Sequence, residues 1–200
     1  MKTLRMYPSS INEMYLDDAV ECLKSGGVII YPTDSLYALG CDALNNSAIE
    51  KLCKLKGINP QKHTLSIVCD GLSMASEYAR IDNEAFRILR RNLPGAFTFI
   101  LPSSPKLPKV FKGRKAVGVR VPDNAIATAI AARLGNPILS TSAQVEGEEL
   151  PDPQILADEY SNVASLLIDG GECDGRPSTV IDITDSYNPE IIREGKGELQ

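Results

Sequence analysis

Gly26-Gly27-Val28-Ile29-Ile30-Tyr31-Pro32-Thr33-Asp34-Ser35-Leu36-Tyr37-Ala38-Leu39-Gly40 is the stretch that decides how this chain folds. A glycine pair precedes a run of β-branched and aromatic residues with no polar alternation, the pattern of a strand covered on both faces. Pro32 stops that strand, because it lacks an amide donor and biases Tyr31 toward an extended conformation. Thr33, Asp34 and Ser35 are thereby delivered together at the strand's carboxyl end, where open α/β sheets bind ligands. Pro, Asp and Ser also build ordinary turns. Tyr37 and Gly40 at such short range are more than a plain turn needs, which favours a ligand turn.

Outward from that strand, helical and extended patterns alternate. A helix is expected over 10–25, capped by Ser9 or Ser10 and ended by Gly26-Gly27; a second over 48–56, capped by Asn46 or Ser47 and ended by Gly57. Residues 64–69 read as a strand, 72–79 and 83–92 as helices, and 97–101, after Pro94-Gly95, as another strand. A proline- and lysine-rich loop over 102–115 leads to a strand over 117–121 that ends at Pro122 and presents Arg120. A helix over 125–134, a strand over 137–140, a helix near 153–159 and strands over 164–169 and 179–183 follow, with 191–193 as a final candidate strand. The expected fold is one α/β domain over 1–200, a twisted mixed sheet with flanking helices.

Composition narrows the function. With 43% hydrophobic and 24% charged residues in 200, the chain can bury a substantial core. No run approaches the roughly 18 apolar residues of a membrane span, and the first residues lack a signal-peptide core, so a cytoplasmic protein with no membrane partner is expected. The five cysteines are widely spaced and match no metal or redox pattern, as expected of buried, reduced thiols. A net charge of −5 argues against bulk attraction to nucleic acid. Lysines do cluster, at Lys51, Lys54, Lys56 and Lys62 and again at Lys106, Lys109, Lys112, Arg114 and Lys115. Taken alone, such runs are solvated faces.

His63 is the single histidine, so a histidine-rich zinc centre is excluded and a Ser-His-Asp triad would have to use it. Phosphate-loop, dinucleotide and nucleophile-elbow motifs are missing. No metal ligands or catalytic residue stand out. What recurs is the hydroxyl at a strand end: Thr33 and Ser35, Thr98, Ser140 with Thr141 and Ser142, Ser178 with Thr179. Combined with Lys54, Lys56, Arg120 and Arg193, these make an anion-binding cleft, since hydroxyls and arginine forks suit carboxylate and phosphate oxygens. Gly170-Gly171-Glu172-Cys173-Asp174-Gly175 reads as a tight turn that shapes the site, because its two carboxylates oppose a phosphate cradle.

Tyr31-Pro32-Thr33-Asp34-Ser35-Leu36-Tyr37-Ala38-Leu39-Gly40 resembles the signature of the YrdC family, Tyr-Pro-Thr-Asp/Glu-Thr-x-Tyr-Gly-Leu. Further matches follow in order at Pro94–Leu101, Gly118–Pro122, Ser140–Ala143, Pro177–Asp182 and Arg193–Gly195, and the closest likeness is to the YciO branch. The resemblance implies a positively charged concave cleft and synthesis of threonylcarbamoyl-AMP from L-threonine, bicarbonate and ATP, with Mg2+ on the triphosphate. The product would feed N6-threonylcarbamoyl modification of tRNA adenosine, together with partner proteins of that modification. It implies Thr33, Tyr37, His63, Arg120, Ser140 and Ser178 as threonine contacts, Arg120 meeting the carboxylate. Lys54, Lys56, Thr98, Ser142 and Arg193 become nucleotide contacts. The chain departs from the family pattern in three places: Ile58 stands for an arginine, Gln144 for an asparagine, and Leu150 for a serine. The alternative is an RNA-binding protein for double-stranded RNA, tRNA or rRNA without efficient synthase activity.

Overall fold

A computed structural model describes residues 1–112, 115–148 and 152–200; Arg114 and Leu150 lie outside them. In chain order the described elements are β1 (Lys2–Arg5), α1 (Glu13–Lys24), β2 (Ile29–Tyr31), β3 (Ala38–Asp42), α2 (Asn46–Leu55), β4 (Ser66–Val68), α3 (Leu72–Tyr78) and α4 (Asn83–Asn92). There follow β5 (Phe97–Pro102), β6 (Ala116–Arg120), α5 (Ala125–Leu134), β7 (Ile138–Ser142), α6 (Pro153–Glu159), β8 (Leu166–Asp169), β9 (Thr179–Asp182) and β10 (Glu190–Arg193). All ten strands join one sheet in the order β1-β8-β2-β3-β7-β4-β6-β5-β9-β10. It is mixed: β1 with β8, β8 with β2, β4 with β6 and β5 with β9 are parallel, and the other neighbours antiparallel.

The uninterrupted apolar run of β2 has a direct structural cause. Val28 and Ile30 enter one core and Ile29 and Tyr31 the other, all completely buried. The first core lies under α2, α3, α4 and α6; the second lies under α1 and α5, whose Leu16, Val20, Leu23, Ile126, Ile130 and Leu134 pack against β2, β7 and β8. Each of these long aliphatic side chains, fully buried, contributes about 1.5–3 kcal/mol. Among the described residues no helix is long and apolar enough to cross a membrane.

Several boundaries differ from expectation for physical reasons. α1 starts at Glu13 because the Asn12 side chain accepts from the Tyr15 amide at 3.2 Å, so Asn12, not Ser9 or Ser10, is the cap. α2 is likewise capped by Asn45, whose Oδ1 accepts from the Ala48 amide, in place of Asn46 or Ser47. β1 and β3 were not anticipated. β1 is short and mostly exposed, held by parallel pairing to the remote β8. β3 is built of small residues with little strand propensity and is sandwiched between β2 and β7. Within the 102–115 loop, Lys109–Lys112 form a 3-10 turn.

The face covered by α1 and α5 continues toward β9 and β10. There it carries Ser140, two residues on from Ile138, then Ser66 opposite Ser140, and Gly118 opposite Ser66. Small and hydroxyl residues in place of aliphatic ones leave a hollow.

Candidate functional site

That hollow is a cavity of about 290 Å3. Its lining draws on the ligand turn after β2 (Ser35, Leu36, Tyr37), on β4 and β5 (Ser66, Thr98, Ile100), and on β7 and its exit (Ser140, Thr141, Ser142, Gln144). Pro177, Ser178, Val180 and Arg193 close one end, and Leu52, Cys53 and Ile58 line another part. Glycine sets the floor at Gly118, where a Cβ would fall 2.5 Å from Ser66 Oγ and 3.0 Å from Thr98 Cγ2.

The charged side chains among the described lining residues are Arg120 and Arg193, both cations. Arg120 is held rigidly: Nη2 donates to Asp34 Oδ1 and to Ser35 Oγ, each at 3.0 Å, with the Arg120 side chain only 12% and that of Asp34 only 6% exposed. Asp34 is fixed in turn, since Oδ2 accepts from the Asp123 amide at 2.9 Å and its carbonyl accepts from Lys196 Nζ at 2.6 Å. Arg120 Nε is buried and has no hydrogen-bond partner among the described residues. A buried donor of this kind is costly unless something satisfies it. Arg193 Nη2 donates to the Ser178 carbonyl at 2.8 Å. Partial burial, and then the Arg120 charge, hold the Arg193 guanidinium below its ordinary pKa. Two cations that disfavour one another beside a hollow favour an anion between them.

The hydroxyls are ordered. Thr98 Oγ1 and Ser178 Oγ lie 2.9 Å apart across the parallel pair β5 and β9. Tyr31 donates its phenol hydrogen to Ser140 Oγ at 2.8 Å, and burial pushes the Tyr31 pKa up to about 12. Tyr37 donates to the Gly171 carbonyl at 2.7 Å and accepts from the Gly170 amide at 3.0 Å; burial raises its pKa. The 170–175 turn is thus tied to the ligand turn, with Gly175 N on the Ser35 carbonyl as a further link.

Of the residues singled out from sequence, Tyr37, Thr98, Arg120, Ser140, Ser142, Ser178 and Arg193 converge on the cavity. Thr33, Lys54, Lys56 and His63 are not among its lining residues. Thr33 is buried behind the turn, donating to the Leu36 carbonyl at 2.6 Å and accepting from the Ser35 amide. Lys54 is exposed on α2. Lys56 lies with Nζ 5.9 Å from the Tyr160 ring centroid, its pKa lowered by burial. His63 is exposed, with Nδ1 3.0 Å from the Asn59 carbonyl. Asp34 and Ser35 of the ligand turn and the strand-end Thr141 belong to the site as well; Ser66 and Lys196 belong to it and had not been selected. Ser66 and Lys196 carried no signal beyond an alternating strand and a lysine after Arg193-Glu194-Gly195.

Comparison with known proteins identifies the family. The Sua5_yciO_yrdC family model, described as telomere recombination, matches residues 21–195. The uncharacterized protein YciO of Escherichia coli strain K12 is 40% identical over 98% of this chain and 96% of its own, and the E. coli YciO crystal structure superposes with a TM-score of 0.91 over 99% and 98%. A threonylcarbamoyl-AMP synthase of Coxiella burnetii is 32% identical over 94% of this chain and 98% of its own. P. abyssi Sua5, solved with L-threonine, has a TM-score of 0.86 and 30% identity over 97% of this chain and 57% of its own. This chain therefore belongs to the Sua5/YciO/YrdC family.

Proposed function

We propose that the protein makes threonylcarbamoyl-AMP from L-threonine, bicarbonate and ATP, for use in tRNA modification. The observation that carries this is Arg120: a guanidinium at the cavity wall, held by Asp34 and Ser35 and only 12% exposed. A substrate carboxylate would pair with this guanidinium through a charge-assisted bond. The relatives support the choice of substrate, one being a threonylcarbamoyl-AMP synthase and another solved with L-threonine.

The chemistry needs two steps. The threonine amine adds to bicarbonate with loss of water, giving a carbamate; a carbamate oxygen then attacks the α-phosphorus of ATP and pyrophosphate leaves. Carboxylate, carbamate and triphosphate repel one another. Arg120 and Arg193 offset that repulsion, and the hydroxyls of Thr98, Ser142 and Ser178 supply neutral donors that hold oxygens in line. Among the described residues no three acidic, histidine or cysteine side chains are grouped to hold a metal ion. Magnesium would accordingly be held by the phosphates of ATP, where it neutralises charge. Ile58 lines the cavity where the family pattern has arginine, and a lost charge-assisted contact of about 1.5–3 kcal/mol slows turnover about 10- to 100-fold.

Incubation with ATP, L-threonine, bicarbonate and Mg2+ should release pyrophosphate and form the adduct. A folded preparation that gives neither product nor ATP binding contradicts the proposal. RNA binding that falls steeply with salt would favour the alternative, although Lys106 of the basic loop is already engaged by Glu77 at 2.7 Å.

A further inference from the structure

We propose that Tyr31 is a positioning residue that fixes the hydroxyl of Ser140 as a hydrogen-bond donor aimed at a negatively charged ligand oxygen in the cavity. This rests on the cavity being an anion site, as in the function proposed above, and adds a residue that does not itself line it.

Tyr31 is completely buried on β2, and its ring crosses over β3 to reach Ser140 on β7. The crossing depends on Gly40, where a Cβ would fall 2.7 Å from Tyr31 Cε1. A serine hydroxyl ordinarily rotates and can either donate or accept. Here one acceptor lone pair of Ser140 Oγ is occupied by the phenol hydrogen at 2.8 Å, and no other bond of this oxygen occurs among the described residues. The serine's own hydrogen is left for an acceptor, and Ser140 borders the cavity that Arg120 also borders. Phenol is the stronger acid of the two groups, which sets the direction of the bond. Burial keeps Tyr31 protonated up to about pH 12, so the orientation holds across the working range. The pair thus favours an acceptor: a carboxylate or phosphate oxygen takes the serine hydrogen, and a donor is left a single lone pair on Ser140 Oγ.

The test is a double-mutant cycle of Tyr31→Phe, Ser140→Ala and the double variant, titrated calorimetrically with L-threonine and, separately, with inorganic pyrophosphate. Tyr31→Phe keeps the ring, so packing is preserved and melting temperature reports any structural contribution. The expected result is a five- to tenfold loss of affinity for one of the two ligands in Tyr31→Phe, an equal or larger loss in Ser140→Ala, and no added loss in the double variant. Unchanged affinity in Tyr31→Phe, or additive losses, overturns the proposal while leaving threonine binding by the parent protein intact. Parent protein that binds pyrophosphate and not threonine overturns the proposed reaction, and the same cycle read with pyrophosphate then decides the role of Tyr31. Parent protein that binds neither overturns both.

Discussion

Gly40 leaves the ring of Tyr31 room to cross β3: a Cβ at Gly40 would fall 2.7 Å from Tyr31 Cε1 and 2.7 Å from Ile138 Cγ2. Both neighbours are buried, so neither can move aside freely. Gly40→Ala is therefore expected to destabilise the protein by about 1–3 kcal/mol, the usual range for overpacking. Urea unfolding midpoints measure this, and a variant as stable as the parent would show that the ring is not confined.

Arg120→Ala removes both the proposed carboxylate contact and the partner of Asp34. L-Threonine affinity should fall by about 1.5–3 kcal/mol with ATP affinity changed far less, and Arg120→Lys should recover only part of it because an ammonium lacks the fork. Calorimetric titration separates the two ligands. Equal losses for both would contradict the assigned role, and lowered melting temperature with unchanged selectivity would make Arg120 purely structural.

Ile58→Arg restores a cation to a wall now lined by Leu52, Cys53 and Ile58. If the slow step is charge neutralisation around the triphosphate, pyrophosphate release should rise about tenfold, equivalent to about 1.4 kcal/mol. A rate no higher than the parent's, in a variant of normal stability, counts against that cause.

Stability should fall at alkaline pH. Burial pushes the thiols of Cys41 and Cys69 up to about 12, whereas an unfolded thiol ionises near about 8.5. Below that lower value both states keep the proton and the contribution is complete; above it the unfolded chain releases protons the folded one retains, so stability declines until about pH 12. Urea midpoints from pH 8 to 11 should trace the decline, and Cys69→Ala should flatten it. An unchanged slope would exclude this thiol as a cause.

What the sequence made legible followed from strong local signals. A run without polar alternation, broken by Pro32, placed β2 and its turn correctly, and the strand-end hydroxyls at Thr98, Ser140 and Ser178 do meet in space. β3 was hidden because Gly40 weakens the strand pattern for a reason visible only in three dimensions, the passage of the Tyr31 ring. The pairing of Arg120 with Asp34 was not legible, because partners more than eighty residues apart depend on sheet order. Thr33 and His63 carry suitable chemistry, but local turns claim both, one through the Leu36 carbonyl and the other through Asn59.

The most direct measurement is a crystal structure of the protein with L-threonine. A carboxylate oxygen is expected about 3 Å from a guanidinium nitrogen of Arg120. Threonine absent at saturating concentration, or bound with its carboxylate turned away from Arg120, would contradict it.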